Sequence, residues 1–170
     1  KGAIFSLLED SYQNRDRVGL VAFRGEGADV VLPLTSSIDL AYQRLSELPT
    51  GGKTPLAAGL QKSLTILMRE KQKYPSLLPL LVLITDGRAN VGNGGKLKDE
   101  IGLITDDLVK AGIETVIIDT ESKQKGRLSI QLGFCPFIAQ RTQGRYFQIS
   151  DLTASDLSSA VVSGMKTSLA

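Results

Sequence analysis

Six consecutive residues, Leu80–Thr85, place the strongest constraint on the fold of this chain. All but the last are apolar, a pattern typical of a parallel β-strand that is buried on both faces. Such a strand requires helices on both sides of its sheet. Helical patterns precede and follow it along the chain, so we predict an α/β fold with a doubly wound, mostly parallel sheet and helices on both faces.

The remaining segments alternate between helical and extended patterns. Helices are predicted over residues 4–12, 37–48, from about 55 onward, 99–111 and 154–168, and further strands over 17–23, 29–32, 113–119 and 144–149. The glycine-rich turn at 25–27 should join the first two strands as a hairpin, and Pro33 is expected to end the second one. Residues 121–143 are predicted to be a loop with a short helix.

Composition limits the classes of function. A chain of 170 residues with 42% hydrophobic and 22% charged residues is typical of one globular domain. The net charge of +2 is too small to indicate a nucleic-acid partner, and no apolar run is long enough for a membrane span. One cysteine and no histidine exclude the usual zinc, haem and iron–sulfur ligand sets, so any metal is expected to bind through oxygen. The lone cysteine also favours an intracellular compartment.

Parallel strands joined through helices have their carboxyl ends at one edge of the sheet, where ligands usually bind. The loops 24–28, 49–54, 86–97, 120–126 and 150–153 are predicted to meet at this edge.

Two of these loops carry a candidate metal site. Asp86 directly follows the apolar strand, and Thr54 ends the segment T-G-G-K-T. A carboxylate beside a hydroxyl is a pair of hard oxygen donors suited to Mg²⁺, and Gly51, Gly52 and Gly87 would let the backbone approach closely. The alternative is structural: Asp86 and Gly87 form a turn, and Thr54 caps the third helix.

Basic residues lie in the same set of loops. Arg24, Lys53 and Arg88 are each predicted at this edge, where they could contact an acidic segment of a partner protein. The alternative is that they are ordinary solvated charges.

The sequence does not contain the residues of common enzymatic motifs at the spacing that those motifs require. A Walker A loop requires glycine at position 47, which holds Glu47, and the G-G-K-T segment follows a helix, not a strand. The Gly25-Glu26-Gly27 turn lacks the third glycine of a dinucleotide-binding loop, because Val30 stands there. Without histidine, no Ser-His-Asp or Cys-His arrangement can form. We therefore expect no catalysis by this chain itself.

Three motifs together resemble the D subunit of magnesium chelatase: D-R-V-G-L-V-A-F-R-G (16–25), T-G-G-K-T-P-L-A-A-G-L (50–60) and L-V-L-I-T-D-G-R-A-N-V-G (81–92). The resemblance implies a von Willebrand factor A (integrin I) domain over residues 1–170 with a metal-ion-dependent adhesion site. Thr54 and Asp86 match the threonine and the distal aspartate of that site, and the metal would be Mg²⁺ or Mn²⁺.

The sequence departs from the family pattern in one respect. The resemblance implies a first strand ending in D-x-S-x-S, expected before Lys1 and in the middle of the sheet, so the domain is expected to be incomplete at its N-terminus. Three of the five metal ligands would then be absent. The segment 151–155 has similar spacing but is predicted to be a helix N-cap.

The resemblance also implies a function. The domain would be a protein-interaction module of a ligase, magnesium chelatase, which inserts Mg²⁺ into protoporphyrin IX in chlorophyll synthesis. Its partners would be the ATP-driven I subunit ring and the porphyrin-binding H subunit, in a bacterial cytoplasm or the chloroplast stroma. The alternatives are a von Willebrand A module of another chelatase, such as a cobalt chelatase, or a generic adhesion module.

Overall fold

The computed structural model describes residues 2–48, 52–88, 94–121 and 133–149. Its helices are α1 (Gly2–Gln13), α2 (Ile38–Glu47), α3 (Leu56–Lys73), α4 (Gly94–Lys110) and α5 (Phe134–Thr142), and its strands are β1 (Val18–Arg24), β2 (Gly27–Thr35), β3 (Leu80–Thr85), β4 (Glu114–Asp119) and β5 (Arg145–Gln148). The predicted elements in these ranges are all found, including the short helix within 121–143. The predicted helix at 154–168 and the N-cap at 151–155 lie outside the described residues.

The antiparallel hairpin β1–β2 turns through two residues, Gly25 and Glu26, with Arg24 paired to Gly27. Gly25 has a positive φ of 65°, which a residue without a side chain adopts at no steric cost. The prediction that Pro33 ends the second strand is wrong. β2 continues to Thr35, because it pairs only with β1 among the described strands and an edge strand tolerates a proline that cannot donate a hydrogen bond.

The strands β3, β4 and β5 form a parallel sheet in the order β3-β4-β5. Helices α3, α4 and α5 pack on one face of it, where their apolar side chains join Leu83 and Ile117 in the largest buried cluster. The α/β fold with a parallel sheet and helices is therefore confirmed. Within the described part of the chain, β1 and β3 are not paired, so the strands form two separate sheets.

The expectation that β3 is buried on both faces is wrong for this structure. Only Leu83 and Thr85 of β3 are buried, whereas β4 is buried from Thr115 to Asp119. The reason is the position of each strand: β4 lies between two neighbours, while β3 pairs with β4 alone among the strands described.

Two contacts fix the direction of α3 against β1. At the start of β1, Arg17 bonds Glu70 near the end of α3 at 2.9 Å. At the end of β1, the amide of Gly25 donates to the carbonyl of Lys53, just before α3, at 3.1 Å. α3 therefore runs antiparallel to β1, and β3, which returns after α3, runs parallel to β1. The carboxyl ends of β1, β3 and β4 share one edge of the molecule, which we call the rim.

None of the helices in the described ranges is long and apolar enough to cross a membrane.

Candidate functional site

Asp86 is the first residue of the rim after β3, and its side chain is half-buried. Its Oδ1 accepts a hydrogen bond from the backbone N–H of Arg88 at 3.0 Å, which closes a tight turn. The turn that the structural alternative predicted is therefore present. It does not exclude a metal ligand, because a carboxylate has several acceptor positions and this hydrogen bond uses one of them.

Gly87 lets this turn pack against the start of α5. Its φ is +67°, and a Cβ there would lie 2.9 Å from the Sγ of Cys135 and 3.1 Å from two backbone nitrogens. The amide of Phe134 donates to the carbonyl of Gly87 at 3.0 Å. The prediction that Gly87 shapes the loop thus has a physical basis. Gly52 also has a positive φ, +108°, whereas Gly51 lies outside the described residues.

Thr54 lies half-buried at the start of α3. The hydrogen bond between Gly25 and Lys53 holds its loop against the hairpin turn, as the predicted rim requires. The N-cap position of α3 is held by Pro55 and not by Thr54, as the structural alternative had it, and Pro55 makes no side-chain cap hydrogen bond. The amide of Leu56 instead donates to the backbone carbonyl of Thr54 at 2.9 Å.

The three predicted partner-binding residues differ in their surroundings. Arg24 and Lys53 are exposed, and neither side chain forms an ion pair with any part of the chain that the structure describes. Arg88 is also exposed, but its Nε and Nη2 donate to the Oε1 of Glu121 at 3.1 and 2.6 Å. This hydrogen bond and the charge of Glu121 raise the pKa of the Arg88 guanidinium.

Sequence reasoning placed the loop after β4 at the rim but assigned no role to Asp119 or Glu121. Asp119 is buried; its Oδ1 accepts from the amide of Glu121 at 2.8 Å and its Oδ2 from the hydroxyl of Tyr146 at 2.7 Å. The sequence held a signal for this loop, since I-D-T-E at 118–121 repeats the order of I-T-D-G-R at 84–88: an apolar strand, an aspartate, and a charged residue two positions later. The apolar pattern of 113–119 predicts only that Asp119 ends a strand.

The carboxylates of the rim act on Cys135. Burial, followed by the charges of Asp119, Asp86 and Glu121, raises the pKa of its thiol to about 12. The protonated thiol is therefore the dominant form at neutral pH, and Cys135 packs against Gly87 as a small apolar group. Three carboxylates acting on one side chain also mean that this part of the rim carries negative charge, which favours a bound cation.

The donor atoms of the rim suit a hard cation but are few. Within the described ranges, no group of three or more Asp, Glu, Cys or His side chains could hold a metal ion by itself. Asp86 offers a carboxylate and Thr54 a hydroxyl, both oxygen donors of the kind that Mg²⁺ prefers. The donor atoms of Asp86 and Thr54 and the local charge suit a metal ion. The two residues would form part of its ligand set.

Comparison with known proteins assigns the class. The profile of the von Willebrand factor type A domain matches residues 1–88, which carry α1, the hairpin, α2, α3, β3 and the Asp86 turn. The chain belongs to the von Willebrand factor type A domain family.

Sequence comparison finds relatives of two kinds. An uncharacterized protein of Methanocaldococcus jannaschii is 39% identical over 90% of this chain and 86% of its own length. The magnesium-chelatase 67 kDa subunit of Chlorobaculum tepidum is 34% identical over 96% of this chain but only 27% of its own length. The chain thus spans about a quarter of that subunit.

Solved structures agree on the fold. An aerotolerance-related membrane protein of Bacteroides fragilis superposes with a TM-score of 0.71 over 97% of this chain and 87% of its own, at 16% identity. At this identity the likeness concerns the fold alone.

Proposed function

We propose that this chain is a metal-dependent protein-interaction domain of a chelatase. Asp86 and Thr54 would contribute a carboxylate and a hydroxyl to a Mg²⁺ or Mn²⁺ site at the rim. The metal would supply an open coordination position for a carboxylate of the partner. Arg24, Lys53 and Arg88 would contact further acidic groups of the same partner segment.

One observation carries this proposal. The rim places a half-buried aspartate, in a region of negative charge, on the same edge as two exposed basic side chains that lack ion-pair partners among the described residues. Arg24 lies at the end of β1 and Lys53 beside it across the Gly25–Lys53 hydrogen bond. A partner that brings carboxylates to this edge meets both kinds of group at once.

The relatives support the chelatase context. Among them, magnesium-chelatase subunits match this chain over nearly its whole length. We therefore propose that the protein works in a magnesium-chelatase assembly with an I subunit ring and a porphyrin-binding H subunit, in chlorophyll synthesis. The M. jannaschii relative, whose length the chain nearly spans, favours as second candidate a von Willebrand A module that acts outside magnesium chelatase.

Binding of the full-length protein to the I subunit tests the proposal. Arg24→Ala and Lys53→Ala should each weaken binding several-fold, and more at low salt, because rim charges act mainly through long-range attraction. Arg69→Ala is the matched control, since Arg69 is an exposed arginine near the far end of α3. Equal binding by all three variants and the natural protein would exclude the rim as the contact surface.

A further inference from the structure

The loops that follow β3 and β4 have the same local geometry. In each, an aspartate at the strand end accepts a hydrogen bond from the amide two residues later: Asp86 from Arg88 at 3.0 Å and Asp119 from Glu121 at 2.8 Å. The two strands are neighbours in the parallel sheet, with Thr85 opposite Asp119. Each turn holds the backbone of a charged residue, so the side chains of Arg88 and Glu121 meet across the rim.

The contact between them is close but exposed. Both the Nε and the Nη2 of Arg88 donate to one oxygen of Glu121, the shorter distance being 2.6 Å. The side chains are 68% and 31% exposed, so water and other anions can reach the pair. An ion pair with this exposure is weak, and another carboxylate can replace it at little cost.

We propose that Glu121 is an internal competitor, which occupies Arg88 until an acidic partner segment displaces it. This inference rests on the proposed function, because it concerns the same rim. Glu121 presents to Arg88 the chemical group that the partner would bring. A partner with a single carboxylate only exchanges one ion pair for another at Arg88 and gains little.

Two further basic groups in the described part of the rim are not occupied in this way. Arg24 and Lys53 have no ion pair within the described parts of the chain, so carboxylates that reach them form new contacts without breaking old ones. A segment with several carboxylates therefore forms new ion pairs with Arg24 and Lys53. At Arg88 it only replaces the existing ion pair with Glu121. Glu121 thus lowers the gain that an acidic segment makes at Arg88 and leaves Arg24 and Lys53 as the groups that add most to its affinity.

A different role for Glu121 would have the opposite consequence. If Glu121 served to orient Arg88 for the partner, its removal would weaken binding. The sign of the effect therefore separates the two roles.

The test measures binding of two fluorescein-labelled peptides to the full-length protein by anisotropy, at low salt and constant Mg²⁺. One peptide is octaglutamate, and the other has a single glutamate among serines. Glu121→Gln should tighten octaglutamate binding about two- to five-fold, the range expected for an exposed ion pair. It should tighten binding of the single-glutamate peptide by the same factor or less, because that peptide can also bind Arg24 or Lys53, which Glu121 does not occupy.

Asp107→Asn is the matched control. It removes one negative charge from another exposed ion pair, Asp107–Lys110 at 3.3 Å, in the last turn of α4 at the end opposite the rim. It should leave peptide binding unchanged. Unchanged or weaker octaglutamate binding by Glu121→Gln, or an equal gain in Asp107→Asn, would overturn the proposal.

Three further variants ensure that the test distinguishes the possible outcomes. Should Glu121→Gln fold poorly, Glu121→Asp keeps the charge but shortens the side chain, and it should give a smaller gain. Arg88→Ala and Lys53→Ala test the surface itself. If they leave octaglutamate binding unchanged, the proposed function fails; if they weaken it while Glu121→Gln gives no gain, only the competitor role fails.

Discussion

At the scale of single residues, the rim depends on turns that the chain can form only with particular side chains. Gly87 combines a left-handed φ with close contact to Cys135, so both its conformation and its size are required. Asp119 is buried and accepts two hydrogen bonds, which fixes Glu121 on one side and Tyr146 on the other. These contacts place the charges that the proposed function uses.

Gly87→Ala should destabilise the protein by about 2–4 kcal/mol, because the left-handed backbone and the overlap with Cys135 both oppose a Cβ. Gly25→Ala is the control that separates these causes. Its φ is nearly the same, +65°, but nothing lies within 4 Å of the added Cβ, so a loss of only about 1–2 kcal/mol is expected. Urea unfolding measures both, and equal losses would show that the contact with Cys135 is unimportant.

Alkaline pH should destabilise the fold through Tyr146. Burial, followed by the hydrogen bond to Asp119, raises the pKa of its hydroxyl from 10.0 to about 12. The folded state thus holds this proton more tightly than the unfolded state, so the stabilisation is complete below pH 10 and is lost as the pH rises to about 12. Tyr146→Phe should be less stable than the natural protein near pH 8 and should lose less further stability across this window. Parallel curves of unfolding free energy against pH would contradict the assignment.

At the scale of helices and strands, apolar periodicity was sufficient to predict most of the fold. It located β3 to the residue and the start of α3 to within about one residue. Periodicity failed where neighbouring elements in the folded structure determine where a strand ends or how deeply it is buried. The local sequence does not show that Pro33 lies in a strand paired only with β1, or that β3 pairs with β4 alone, among the strands that the structure describes.

The packing of α3 on β1 depends on Gly59. A Cβ there would lie 2.5 Å from the Phe23 ring and 3.0 Å from its Cβ, atoms close to the backbone that cannot easily move. Gly59→Ala should therefore destabilise the protein by about 1–3 kcal/mol, although alanine favours a helix by about 1 kcal/mol over glycine. Adding Phe23→Leu should recover part of the loss in a double-mutant cycle. A stabilised single variant would mean that α3 and β1 are not in close contact.

At the scale of the whole molecule, the edge that carries the site follows from the fold class, because parallel strands bring separate loops together. Sequence alone placed Arg24, Lys53, Thr54 and Asp86 in the loops of this edge, and the structure ties these loops to the ends of β1 and β3. The sequence could not show that Arg88 forms an ion pair, because its partner Glu121 lies 33 residues away. The two side chains meet only through the register of β3 and β4. The glycines in the sequence were sufficient to predict the local turns. The ion pair between loops of neighbouring strands could be identified only from the structure.

Binding of Mn²⁺, as a paramagnetic substitute for Mg²⁺, tests the central claim most directly. Electron paramagnetic resonance titration of the nucleotide-free, full-length protein counts the bound ion in the natural protein, in Asp86→Asn and in Asp107→Asn, which removes the same charge far from the rim. The proposed metal site predicts that Asp86→Asn loses bound Mn²⁺ that the other two proteins retain, and that excess Mg²⁺ displaces it. Equal Mn²⁺ binding by all three proteins would contradict the metal site and the metal-dependent interaction that rests on it.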